Sequence, residues 1–152
     1  MPSQLPIPDA IFQSFEERSD PAELAPRIAA LLDALKAQGL DGFLVPRADV
    51  HQGEYVPESD ARLAYISGFT GSAGLAVVGV AKSALFVDSR YTLQAPAQTD
   101  TAIFTVIDTT FTSPGDWIAE NLPKGTTLGF DPWLLTPGML DGLKAPLDKA
   151  GI

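Results

Sequence analysis

Apolar residues recur along the chain at two spacings, and the switch between them marks out its elements. Leu24, Ile28, Leu31, Leu32 and Leu35 fall at helical spacing and give a first helix one apolar face. Asp20 is placed to cap that helix, with Pro21 at its first position, Glu23 three residues after the cap and Gly39 at its end. Gly42-Phe43-Leu44-Val45 is a short apolar run stopped by Pro46, the pattern of a buried strand. Residues from Arg47 to Pro57 are polar and read as loop. Ser59 or Asp60 is placed to cap a short helix carrying Leu63, Tyr65 and Ile66, and a glycine-rich turn follows.

The runs Leu75 to Val80 and Ala84 to Val87 predict a hairpin through Ala81-Lys82-Ser83. A short helix is expected near Tyr91, and Ile103 to Ile107 has the β-branched and aromatic content of a strand. Ser113, Pro114 and Asp116 open a helix with Trp117, Ile118 and Leu122 on one side and Pro123 as its stop. Thr127 to Phe130 predicts a strand. Thr136-Pro137 opens a last helix faced by Met139, Leu140, Leu143 and Leu147, which Pro146 should bend or shorten. Strands alternating with capped helices indicate an α/β fold, and the hairpin makes its sheet mixed.

Composition narrows the function. The 152 residues suit one domain, and 45% hydrophobic against 19% charged residues can bury a core. No apolar run is long enough to cross a membrane. A net charge of −9, with basic residues scattered, would repel a phosphate backbone and argues against nucleic acid. Cysteine is absent, which excludes a disulfide scaffold, a thiolate metal site and a cysteine nucleophile, and fits a reducing cytoplasm. Residues 1–18 read as a proline-rich extended lead-in without the pattern of a signal peptide, and residues 19–152 as the domain. Lys149-Ala150-Gly151-Ile152 reads as a helix stop, so the βα pattern is expected to continue past it.

Candidate chemistry is sparse. Gly68, Gly71 and Gly74 have a phosphate-loop look, but a helix precedes them and a strand follows, the reverse of that motif, so tight turning is the better reading. His51, the one histidine, forms H-x-x-E with Glu54, too little for zinc. It reads as a loop histidine bonded to neighbouring backbone or to Glu54. Asp88, Asp108 and Asp131 each follow a strand-like run. On parallel strands they could meet at one sheet edge and hold Mg²⁺ or Mn²⁺ as a metal hydrolase, but turn-opening aspartates are the favoured reading. Arg90 beside Asp88 either pins its turn by an ion pair or grips a carboxylate or peptide carbonyl. On chemistry alone these two stand level. No catalytic centre emerges.

Three ordered segments carry a resemblance: D-V-H-Q-G-E-Y from Asp49 to Tyr55, S-G-F-T-G-S-A-G from Ser67 to Gly74, and F-V-D-S-R-Y-x-L-Q-A from Phe86 to Ala95. Gly39 to Pro46 and Gly129 to Pro132 add to it. Together they resemble the first domain of long-form Xaa-Pro aminopeptidases of the creatinase/prolidase group. The resemblance implies a mixed sheet flanked by helices with a ribonuclease-H-like motif. It implies a role in gating substrate and building a homodimer, beside a separate catalytic domain that binds two Mn²⁺ or similar ions and cleaves before a penultimate proline. The fragment itself is then expected to hold no metal and to be inactive. By the same resemblance Arg90 is the residue that contacts the proline-containing peptide. Ser89 stands where the family has glycine, and a left-handed backbone there would strain it. A second implication comes from relatives among histone chaperones, where the fold only binds; an acidic chain suits basic peptides.

Overall fold

Local chemistry sets the ends of the first helix in the computed structural model, which describes residues 20–152. Residues 1–18, read above as a lead-in, lie outside the described residues. The Asp20 carboxylate accepts the amide of Ala22 at 2.9 Å, and a 3₁₀ turn over Pro21–Glu23 leads into α1, Leu24–Ala37. Glu23 does not complete a capping box; it pairs with Arg27 one turn on. The amides of Gly39 and Leu40 donate back to Lys36 and Leu35, with Gly39 at φ 69° in the left-handed region that glycine enters without strain.

The strands are β1 (Gly42–Pro46), β2 (Gly74–Gly79), β3 (Ser83–Val87), β4 (Phe104–Asp108) and β5 (Leu128–Phe130). They form one sheet in the order β4-β3-β2-β1-β5. The hairpin between β2 and β3 is antiparallel with Gly74 opposite Val87, and β1 is antiparallel to β2. β4 lies parallel to β3, and β5 parallel to β1. Every strand but β2 therefore points the same way, and four carboxyl ends share one edge.

Alternation along the strands splits the core between two faces. Val45, Ala76, Val78, Leu85 and Val87 face Ile28 of α1, Leu63 and Ile66 of α2 (Arg62–Ser67), and Ala95 of α3 (Gln94–Gln98). Leu44, Val77, Ala84 and Phe86 face Trp117 and Ile118 of α4 (Pro114–Asn121) and Leu143 of α5 (Pro137–Ala150). Each such large side chain contributes about 1.5–3 kcal/mol by leaving water. Phe86 meets Trp117 edge to face at 5.7 Å.

Several local expectations change. Neither Ser59 nor Asp60 caps α2: Glu58–Asp60 is a separate 3₁₀ turn, and Ala61 precedes the helix without a side-chain cap. Tyr65 does not join the buried face but lies exposed under the guanidinium of Arg27, 4.5 Å from its ring centre. Met139 is likewise exposed. Pro146 does not shorten α5, which runs on to Ala150. It sits where α4 and α5 come close, since a Cβ on Gly115 would lie 2.6 Å from its Cγ. Near Tyr91 the helix is a 3₁₀ turn, Ser89–Tyr91, with α3 starting three residues later.

Candidate functional site

The shared carboxyl edge brings the three motif segments together. The amide of Arg47, at the start of the 47–57 loop, donates to the carbonyl of Gly74 at 2.9 Å. The glycine-rich turn is braced in turn against the segment after β3. Ser72 donates its amide to Tyr91 Oη at 3.1 Å, and the two hydroxyls lie 2.6 Å apart. The amide of Thr70 donates to Gln98 Oε1 at 2.9 Å, and Gln98 returns a bond to Thr70 Oγ1 at 2.8 Å. Phe69 packs edge to face on Tyr91 at 5.3 Å. The turn runs from α2 into β2, and Gly68, at φ 76°, closes α2. Its glycines serve close packing, since a Cβ on Gly71 would lie 2.1 Å from Phe69 Cζ.

That bracing fixes the turn bearing Arg90. The Asp88 carboxylate accepts the Arg90 amide at 2.9 Å, its Nε at 3.0 Å and its Nη2 at 2.6 Å. The Tyr91 ring lies 5.1 Å from the guanidinium carbon. Arg90 donating to Asp88 holds that carboxyl below the usual aspartate range, and Asp88 in turn raises Arg90. Nη1 has no partner among the described residues, and the Arg90 side chain is 65% exposed. The ion pair that pins the turn is therefore present, and it leaves one edge of the guanidinium open. Ser89 belongs to the 3₁₀ turn and is not among the residues with positive φ, so serine carries no backbone strain there.

The loop after β1 is built on a side chain that the sequence reading passed over. Asp49 is 5% exposed, and its carboxylate accepts the amides of His51 at 2.9 Å and Gly53 at 3.0 Å. The amide of Gly53 first, with that of His51, keeps Asp49 below the ordinary aspartate value against the opposing effect of burial. Gln52, at φ 55°, is the one non-glycine residue in the left-handed region among the described residues. Its side-chain amide donates to the carbonyls of Asp49 and Leu134, both at 3.2 Å, tying this loop to the chain after β5. His51 is exposed and its side chain forms no hydrogen bond with Glu54. An aspartate two before one amide and four before another is the sequence signal that could have found this anchor.

Asp88, Asp108 and Asp131 do stand at one edge, but they do not converge. Each carboxylate accepts the amide two residues on: Arg90, Thr110 and Trp133. Asp131 follows β5, three places from β3 in the sheet, or about 14 Å at strand spacing, and it lies 3.9 Å from Arg62. Among the described residues no group of three or more His, Asp or Glu is arranged to hold a metal ion. The donor set does not fit a two-metal centre. No helix among them is long and apolar enough to cross a membrane.

The family model described as the creatinase/prolidase N-terminal domain matches residues 27–151. A probable Xaa-Pro aminopeptidase P of Neurospora crassa is 38% identical over 147 residues, covering 93% of this chain and 22% of the relative. The X-prolyl aminopeptidase of Caenorhabditis elegans, described as a cytosolic enzyme with a di-nuclear active site, superposes with a TM-score of 0.70 at 28% identity, over 87% of this chain and 23% of that one. The N-terminal domain of the cytoplasmic peptidase PepQ from Mycobacterium tuberculosis, solved by itself, gives 0.60 at 26% identity, over 83% of this chain and 88% of that one. The chain thus spans about a fifth of the length of the curated relatives it matches.

Proposed function

The chain belongs to the creatinase/prolidase N-terminal domain family, and on that footing we propose that it serves as the N-terminal domain of a metal-dependent Xaa-Pro aminopeptidase. The whole polypeptide then releases the first residue from peptides with proline in second position. Support comes from two relatives, a probable Xaa-Pro aminopeptidase P of Neurospora crassa and the X-prolyl aminopeptidase of Caenorhabditis elegans with its di-nuclear active site. The metal chemistry belongs to a separate catalytic domain with two Mn²⁺ or similar ions, which polarise the carbonyl and activate water. No step of it is assigned to residues of this chain.

This domain's contribution is to position the peptide, and Arg90 is its substrate contact. The observation that carries this is the open guanidinium edge on a turn held by Asp88 and, through Tyr91, by Ser72. A guanidinium oriented before the ligand arrives loses little freedom on binding a peptide carbonyl or carboxylate. A homodimer and a cytoplasmic setting complete the proposal; the absence of cysteine is compatible with the latter. The assay is X-Pro peptide hydrolysis by the whole polypeptide with added Mn²⁺. Activity that depends on Arg90 supports the reading, and tight binding of basic peptides without hydrolysis would favour the histone-chaperone alternative.

A further inference from the structure

A groove of about 520 Å³ opens on the α1–α2 side of the sheet, over β1 and the chain after β5. Leu31 of α1, Phe43 of β1, Ile66 of α2 and Leu134 make its floor. Leu31 and Phe43 pack against the core below but are only half-buried. The rim is charged and carries Arg27, Arg62 and Asp131. Arg27 is engaged by Glu23 and by the carbonyl of Tyr65. The Arg62 side chain is 46% exposed, and the Asp131 carboxylate stands 3.9 Å from it. An apolar floor with a loosely held guanidinium at its lip suits an apolar segment that carries carboxylates.

The sequence supplies such a segment just ahead of α1. The prolines of residues 1–18 stop at Pro8; Ile11, Phe12 and Phe15 follow, with Glu16 and Glu17 directly after them. Phenylalanine is among the side chains that gain most by leaving water. The reach is sufficient. From Asp20 the 3₁₀ turn and α1 advance about 12 Å to Arg27 and about 18 Å to Leu31. Extended backbone spans about 17 Å from Asp20 back to Phe15 and about 30 Å back to Ile11. The carboxylates fall at the right level too. Gly68 lines a small cleft with Asp20, and α2 runs back from it to Arg62 over about 9 Å. Glu17 and Glu16, three and four residues before Asp20, span about 10–14 Å. A second copy is a poorer occupant, because each chain carries a net charge of −9.

We infer that this groove is the docking site of the chain's own N-terminal stretch: Ile11, Phe12 and Phe15 pack on its floor, and Glu16 and Glu17 meet Arg62 at its lip. The stretch acts as a strap that covers the α1–α2 face beside β5. No part of this depends on the aminopeptidase reading.

Paramagnetic relaxation measured by NMR on residues 1–152 tests this. Relatives of this domain have been solved as isolated units, so the chain is a sound sample. It lacks cysteine, so a nitroxide attached to Ser14→Cys marks one position alone. The amide signals of Ala30, Leu31 and Leu134 should broaden strongly and recover when the nitroxide is reduced. Those of Glu120 and Asn121, on α4 across the sheet, should change far less. Phe12→Ser with Phe15→Ser should abolish the broadening, and Glu16→Lys with Glu17→Lys should weaken it several-fold. Sharp signals at Ala30, Leu31 and Leu134, or weak broadening spread evenly over the surface, would overturn the inference. So would broadening that survives the phenylalanine substitutions. Broadening of isotope-labelled chain by separate spin-labelled chain would assign the groove to a second copy and overturn it as well.

Discussion

Asp88 holds Arg90 from two residues away, with Nε 3.0 Å from Oδ1 and Nη2 2.6 Å from Oδ2. The pair depresses the folded-state value of the Asp88 carboxyl. Its contribution to stability is thus fully present above the unfolded aspartate value, about 4, and is lost as pH falls through the depressed folded value. Asp88→Asn should flatten this part of the acid limb. Urea midpoints measured across that window should fall less steeply for the variant than for the wild type. Parallel curves would show that the pair does not form in solution.

Gly71 is a packing residue in a turn whose spacing imitates a phosphate loop. A Cβ there would lie 2.1 Å from the buried Phe69 ring. Gly71→Ala should destabilise the domain by about 1–3 kcal/mol, the usual cost of overpacking. Denaturant unfolding reads this directly, and a neutral substitution would mean that the ring has room to move.

Asp49 anchors the loop that carries Tyr55. Asp49→Ala should remove hydrogen-exchange protection from the amides of His51 and Gly53 while β2 and β3 stay protected. Persistent protection at those two amides would show that the loop is held by something else.

Much of the fold was legible because its signals are local. Ser113 and Thr136 cap helices as their positions suggest, while Asp20 caps the 3₁₀ turn that leads into α1; each accepts an amide within the first turn. Non-local pairing was not legible. Nothing near Phe104 or Leu128 says that β4 joins β3 or that β5 joins β1, yet this order decides whether three aspartates form a cluster or three separate turns. Tyr65 and Met139 follow helical spacing but stand exposed, Tyr65 with the Arg27 guanidinium over its ring and not in the core. The site was legible as three motifs, and its assembly was not. The Ser72–Tyr91 and Thr70–Gln98 bonds join segments 19 and 28 residues apart.

The separation of those aspartates bears on metal binding. Mn²⁺ added to residues 1–152 should give no saturable site joining Asp88 to Asp131, because Asp88 is engaged by Arg90 and Asp131 lies across the sheet near Arg62. Paramagnetic broadening in an NMR titration checks this. Loss of both aspartates' signals together at low ion concentration would contradict it.

The most direct measurement is the kinetics of X-Pro peptide cleavage by the complete polypeptide, wild type against Arg90→Ala, with bound metal quantified in both. The wild type should release the first residue in a reaction that needs a divalent ion. Arg90→Ala should lose about ten- to a hundredfold in kcat/KM, the usual effect of deleting one charged hydrogen bond to substrate. The loss should fall mainly on KM, with metal content unchanged. No cleavage of X-Pro peptides by the wild type, or identical kinetics in the variant, would contradict the role assigned to this domain.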